Sequence, residues 1–241
     1  AAAAENRPLA QIEIHADAAS ADAASLPDFV ALGVSVPGVV ENLAAQKIIR
    51  PNALQRAAFE EIAAGRDAIL HAWTGSGKTL AFLLPLLERL DPKERSPQLL
   101  ILCPSRELAF QIARVAEMVL AGSGMSAAAV VGGANPNRQL EKIKKERPSV
   151  IVGTPGRVCE LAFDWQKLKL QRIRHVVIDE VDAALKPPHL DHCQQLLHST
   201  QDGRPLQLVL ASATADTPPV RRVAAQLLKS PLMLRLRPPA S

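Results

Sequence analysis

The chain has 241 residues, 48% of them apolar, and a net charge of +4, a mild basic surplus that suits nucleic-acid contact and an ordinary solvated surface equally. That length carries one large or two small domains with a sizeable core, and the lack of any run of about 18 uncharged apolar residues argues against a membrane span. Three widely spaced cysteines, Cys103, Cys159 and Cys193, argue against a cysteine zinc site or a disulfide framework and for a reducing compartment.

In chain order, residues 1–25 are Ala-rich without apolar periodicity and are predicted to be a disordered segment outside the core. The first residue is Ala rather than Met, as in a processed or trimmed chain. A domain is predicted over 26–228. Short apolar runs at Ala68–His71, Leu99–Cys103, Ala127–Val131, Val150–Val152, Val176–Ile178 and Leu206–Leu210 read as strands. Leu80–Leu90 and Glu107–Leu120 have helical spacing between them. Continuous apolar strands alternating with helices predict an α/β, doubly wound, mostly parallel sheet covered on both faces. Ligands in such folds bind beyond the carboxyl ends of the strands. Cys103 reads as core, the charge run Gln139–Arg147 as a solvated helix face, and the Pro-rich residues 229–241 as an exit linker.

One segment carries specific chemistry. Ala72-Trp-Thr-Gly-Ser-Gly-Lys-Thr79 follows a predicted strand and opens a helix. Gly75 and Gly77 let the backbone wrap closely, so that its N–H groups point at phosphate oxygens. The helix N-terminus adds positive potential, Lys78 reaches the β- and γ-phosphates, and the Thr79 hydroxyl ligates Mg²⁺. Ala72 stands where the general pattern has Gly. About a hundred residues later, Val176-Val-Ile-Asp-Glu-Val-Asp182 sets carboxylates directly after a buried strand. Asp179 suits Mg²⁺ held through water, and Glu180 suits orienting and deprotonating an attacking water. Acids after a strand also cap helices, so this motif gains its weight from the phosphate loop.

The order of motifs resembles the DEAD-box branch of superfamily 2 RNA helicases, over roughly Phe29 to Leu228. Beside Ala72–Thr79, Pro104-Ser-Arg-Glu-Leu-Ala-Phe-Gln111 is similar to motif Ia, Gly132-Gly133 to the glycine doublet, and Thr154-Pro-Gly-Arg157 to motif Ib. Asp179-Glu-Val-Asp182 is similar to motif II, with Val181 for the usual Ala, and Ser212-Ala-Thr214 to motif III. The resemblance implies the first RecA-like P-loop domain of an ATP-dependent RNA helicase. It implies ATP and Mg²⁺ bound by the loop residues Ala72, Trp73, Thr74, Gly75, Ser76, Gly77, Lys78 and Thr79. Lys78, Asp179 and Glu180 would be catalytic. It further implies RNA held by its backbone, with little sequence specificity, at Pro104, Arg106, Glu107, Gly132, Gly133, Thr154, Pro155, Gly156 and Arg157. Arg106 and Arg157 suit phosphates, although a structural ion pair accounts for Arg106 as well. Ser212 and Thr214 would couple Asp182 to the nucleic acid.

The sequence also departs from that family. Gln55 stands where its adenine-reading glutamine lies, Pro51 fits, and Phe29 stands where an upstream aromatic is expected. Ile48, however, replaces a stacking Phe, Asn52 a Thr, and Ala53 a Pro. A lost aromatic stack is worth on the order of 1 kcal/mol, so the expected ATP preference is weaker than the family's. Trp73 is unusual in the loop, where it either covers a nucleotide or partner surface or packs locally. A second RecA-like domain, with its arginine fingers, is expected to be missing, either by excision or as a natural half-helicase. Arginine fingers contribute roughly 10³–10⁵ in rate, so this part alone should hydrolyse poorly.

Val181, the His71-Ala72 lead-in and Pro97–Leu108 resemble plant plastid helicases and imply a chloroplast protein, with cytoplasm or nucleus as alternatives. The expected partner is RNA, with a ribonucleoprotein or protein partner also open, no membrane, and a monomeric state. The competing readings are a non-enzymatic RNA- or ribonucleoprotein-binding module with a vestigial nucleotide site, and a DNA helicase or unrelated P-loop NTPase.

Overall fold

The computed structural model describes residues 10–17, 27–184, 186–200 and 204–238. The six expected strands all form: β2 (Ala68–His71), β3 (Leu99–Leu102), β4 (Ala127–Val130), β5 (Val150–Gly153), β6 (His175–Ile178) and β7 (Gln207–Ser212). Two further strands, β1 (Ala10–His15) and β8 (Leu232–Arg237), complete an eight-stranded sheet. The order is β1-β8-β2-β7-β6-β3-β5-β4, and every recorded pair is parallel.

Both added strands correct expectations from sequence. The stretch 10–15 belongs to the sheet, paired in register with β8 from Ala10↔Leu232 to His15↔Arg237. Its sequence hides this because an edge strand needs few apolar residues; only Ile14 is buried. The rest of the Ala-rich segment, apart from Ala16 and Asp17, lies outside the described residues. The supposed exit linker contains β8, with Leu232, Met233 and Leu234 buried between β1 and β2. Pro231 and Pro238 flank this strand rather than interrupt it, which is where a strand tolerates proline.

Helices cover both faces, as continuous apolar strands require. Neighbouring strand residues alternate between two cores. Leu70, Ile101 and Val152 pack with residues of α2 (Val39–Ala45), α3 (Ala53–Ala63), α4 (Lys78–Leu87) and α5 (Arg106–Leu120). Ile69, Leu100 and Ile178 pack on the other face with α7 (Pro155–Cys159), α8 (Val181–Ala184), α9 (His189–Thr200) and α10 (Pro218–Leu227). The short α1 (Phe29–Leu32) joins the first core, and α6 (Pro136–Glu146), the expected charge-run helix, lends only Leu140 as a fully buried residue. Cys103 is buried, as expected. No described helix is long and apolar enough to cross a membrane.

Because β8 is an interior strand with Leu234 fully buried, Leu234→Ala should destabilise the protein by about 2–4 kcal/mol, as buried Leu truncations do. Urea unfolding measures this; a change under about 0.5 kcal/mol would restore the linker description.

Candidate functional site

The phosphate loop spans the gap between β2 and α4. Gly75 (φ +82°) and Gly77 (φ +83°) take the left-handed conformation, and Gly77 caps α4. The start of α3 clamps the loop from below. Asn52 and Gln55 form a reciprocal capping box, each side chain accepting the other's backbone N–H at 3.0 Å and 2.9 Å. Their amide nitrogens then reach up: Asn52 Nδ2 donates to the Ser76 carbonyl at 2.9 Å and Gln55 Nε2 to the Gly77 carbonyl at 3.3 Å. A Cβ on Gly77 would lie 2.7 Å from Gln55 Nε2 and 2.8 Å from Asn52 Nδ2, so no side chain fits there. Lys78 Nζ closes the loop by donating to the carbonyls of Ala72 (2.6 Å) and Trp73 (3.0 Å). Burial pushes the Lys78 ammonium below its ordinary pKa, against the opposing pull of Asp179, Glu180 and Asp182.

Across the cleft, β6 delivers Asp179 and Glu180. Asp179 is 4% exposed, and its carboxylate accepts the Glu180 N–H at 2.9 Å. Burial pushes its pKa up to about 6. Glu180 is exposed and held at φ +47°, a left-handed backbone unusual for a residue with a side chain. Asp182 accepts a hydrogen bond from Ser212 Oγ, whose oxygen in turn accepts the Thr214 N–H at 2.8 Å. Burial raises the Asp182 pKa, but the hydroxyls of Ser212 and Thr214 outweigh it and hold the carboxyl below its usual range. A cleft of about 460 Å³ gathers Thr74, Gly75, Gly77, Lys78, Thr79, Asp179, Glu180 and Asp182 along one wall system. Leu108, Gln111 and Ala213 line it too. The sequence reading assigned them no role, nor did it see the clamp by Asn52, although Asn at a helix start is a readable cap signal.

The oxygen donors suit a hard divalent cation. A buried carboxylate with a raised pKa and a threonine hydroxyl share the cleft, and Mg²⁺ typically takes one or two protein oxygens and completes its shell with phosphate and water. Thr79 and Asp179 would hold it.

The expected RNA-side residues lie at the carboxyl ends of three adjacent strands. Pro104–Glu107 follow β3, Thr154–Arg157 follow β5, and Gly132-Gly133 follow β4. Thr154 Oγ1 accepts the Gly132 N–H at 3.3 Å. Arg106 is exposed, and among the described residues no carboxylate lies within ion-pair distance of it. It lies over Gly133, where a Cβ would overlap the guanidinium.

The structure places three of the expected site residues away from solvent. Phe29 is 1% exposed and belongs to the core, so it offers no face to a nucleotide. Gln55 is 5% exposed and turns its carboxamide to the phosphate loop and its own helix cap. Arg157 is turned inward: its side chain is 10% exposed, Nη1 donates to the Ala134 carbonyl at 2.9 Å, and Nε lies 2.9 Å from a Glu160 oxygen. Trp73, in contrast, stands 42% exposed on the loop.

Fold and site together define a P-loop nucleotide-binding domain of the RecA-like class. The family model for DEAD/DEAH box helicases matches residues 52–223, and the chain belongs to that family. It is 42% identical over 188 residues to the probable ATP-dependent RNA helicase YfmL of Bacillus subtilis, covering 78% of this chain and 50% of that protein. It is 40% identical over 183 residues to the DEAD-box ATP-dependent RNA helicase CshC of Bacillus cereus, covering 76% and 46%. Among solved structures, a DEAD box protein from the hyperthermophile Methanococcus jannaschii superposes with a TM-score of 0.78 at 23% identity, covering 87% of this chain and 56% of that one. A Saccharomyces cerevisiae dbp5 variant bound to nup159, gle1, IP6 and ADP gives 0.73 at 31%, covering 84% and 52%. The chain thus spans about half the length of these curated relatives and corresponds to the first RecA-like domain.

The raised pKa of Asp179 has a stability consequence. Its folded value near 6 exceeds the ordinary 3.8, so the folded state favours the protonated form. Stability from this group is full below about pH 4 and is lost as the pH rises through about 6. Asp179→Asn keeps the acceptor for Glu180 N–H and should be more stable by about 1–3 kcal/mol at pH 7.5, with the gain vanishing near pH 4. Urea unfolding at the two pH values tests this; equal stability of the two proteins at pH 7.5 would refute it.

Proposed function

We propose that this chain is the ATP-binding domain of an RNA helicase, which holds ATP-Mg in the cleft between the phosphate loop and Asp179–Asp182 and grips RNA by its backbone at the neighbouring loops. The observation that carries this reading is the convergence of Lys78, Thr79, Asp179, Glu180 and Asp182 on one cleft, with Asp182 hydrogen-bonded to Ser212.

The roles follow from chemistry. The loop's backbone N–H groups and the α4 N-terminus bind phosphate oxygens. Lys78 neutralises their charge once a nucleotide competes for its ammonium, which the two loop carbonyls otherwise hold. Mg²⁺, when bound, supplies charge neutralisation on the β- and γ-phosphates. Glu180, exposed at the cleft wall, orients the attacking water and accepts its proton. The Ser212–Asp182 bond links the nucleotide side to the segment between the strands. Arginine fingers from a second domain would complete hydrolysis, so this domain alone binds nucleotide and turns it over slowly. With Ile48 in place of an aromatic and Phe29 in the core, base selectivity is weaker than in the family at large. The plastid resemblance of Val181 and the His71-Ala72 lead-in supports a chloroplast location; a tagged full-length protein excluded from plastids would overturn it.

Lys78→Ala should weaken ADP binding by about ten- to hundredfold, the scale of a lost charge-assisted hydrogen bond. Glu180→Gln should bind ADP normally but abolish RNA-stimulated ATPase in the full-length protein. Isothermal titration with ADP measures the binding. Unchanged ADP affinity in Lys78→Ala, or wild-type turnover in Glu180→Gln, would remove the site assignment. Undetectable nucleotide binding by the unaltered chain would favour a non-enzymatic RNA-binding module.

A further inference from the structure

Besides Leu140, which joins the core, the charge run at Gln139–Arg147 has a polar member with a fixed partner. The Gln139 carboxamide pairs with both backbone groups of Val131: Oε1 accepts the N–H at 3.1 Å and Nε2 donates to the carbonyl at 2.9 Å. Val131 is the residue directly before the Gly132-Gly133 doublet. A side chain thereby continues the backbone pairing of β4 one residue past the end of its ladder.

The same loop is held at two further points. Thr154 Oγ1 accepts the Gly132 N–H, and Arg157 Nη1 donates to the Ala134 carbonyl. Three points of this backbone, at Val131, Gly132 and Ala134, are therefore each fixed by a different side chain. Gly133 alone is left exposed without such a tether, at φ +78°, with the exposed Arg106 guanidinium lying over it.

We propose that Gln139 is a positioning residue that, together with Arg157, sets the Val131–Ala134 loop beside the exposed Arg106. This rests on the RNA-backbone reading above. Arg157 has its guanidinium engaged with Ala134 and Glu160 and little exposed surface, whereas Arg106 is exposed and faces no carboxylate among the described residues. A loop that must present bare backbone to a sugar–phosphate chain cannot rely on its own side chains for rigidity, so its neighbours supply it. Gln suits the task because one carboxamide offers a donor and an acceptor in the plane of a peptide group.

Salt dependence separates contact from positioning. Each phosphate contact on a single strand contributes about 0.7 to the slope of log K against log salt, whereas a positioning residue contributes none. Binding of a fluorescein-labelled single-stranded oligoribonucleotide to the chain is followed by anisotropy across a salt series, with ADP affinity read by isothermal titration calorimetry. Gln139→Leu should weaken RNA binding by about three- to tenfold, the scale of one or two lost hydrogen bonds, with slope and ADP affinity unchanged. Gln139→Glu, which keeps the acceptor but sets a carboxylate oxygen against the Val131 carbonyl, should do the same at conserved size. Arg157→Leu should follow this pattern, while Arg106→Ala should lower the slope by about 0.7. The proposal is overturned if the Gln139 variants bind RNA like the wild type, or if Gln139→Leu or Arg157→Leu lowers the slope. It is overturned equally if both Gln139 variants lose ADP affinity in parallel, which would make the residue a general fold determinant. Failure of the unaltered chain to bind RNA under low salt, with ADP affinity intact, would instead defeat the RNA-backbone reading itself.

Discussion

At Gly77 the two amide side chains of the α3 cap press so closely on the backbone that a single methyl group would collide with both. That contact fixes the last turn of the phosphate loop, and much of the site follows from it. The left-handed Gly77 starts α4, and the start of α4 sets the direction of Lys78. Lys78 in turn draws the Ala72 and Trp73 carbonyls together into a closed loop. The clamp is built from a helix cap that must exist anyway, since the first N–H groups of α3 need acceptors. Asn52 and Gln55 satisfy that need with one end of each amide and hold the loop with the other.

The strand order then arranges the chemistry in a line. Reading across β2-β7-β6-β3-β5-β4, the carboxyl ends carry the phosphate loop, the Ser212–Thr214 turn, the acidic pair, the Ser105–Arg106 turn, the Thr154 turn and the glycine doublet. The loops proposed to hold the nucleotide and those proposed to meet nucleic acid are contiguous along the carboxyl ends of one sheet. Ser212 occupies the strand between the phosphate loop and the carboxylates, which is why a short hydroxyl reaches Asp182. The His71 ring on β2 adds a bond to the Ala213 carbonyl at 3.0 Å, so the turn is held from both neighbouring strands.

The central strands and the phosphate loop were legible in the sequence for physical reasons. A strand buried on both faces must be apolar at every position, and a loop that wraps phosphate must carry glycine where φ is positive. The misreadings have equally physical causes. β1 is an edge strand with one buried side chain, so it leaves no hydrophobic pattern. β8 shows its apolar residues plainly as Leu-Met-Leu-Arg-Leu-Arg, but the flanking prolines drew the reading toward a linker. For Arg157 and Gln55, residue type announces what a side chain can bond to and not which partner lies nearest; the backbone at Ala134 and Gly77 is placed by contacts distant in sequence. Gln139 opens a run of charges, and a single amide beside six charged residues carries no signal of its own.

The position of β8 between β1 and β2 bears on how the protein is made. Among the described residues β1 has no other neighbour in the sheet, and its partner residues begin at Leu232. As a chain emerges from the ribosome, β2 to β7 can assemble around their own contacts, while β1 must wait until β8, more than two hundred residues later, has been synthesised. Such distant pairing is slow, and a strand edge left open meanwhile invites pairing with other chains. The low hydrophobicity of β1, which conceals it from a sequence reading, is also what keeps it harmless during that interval.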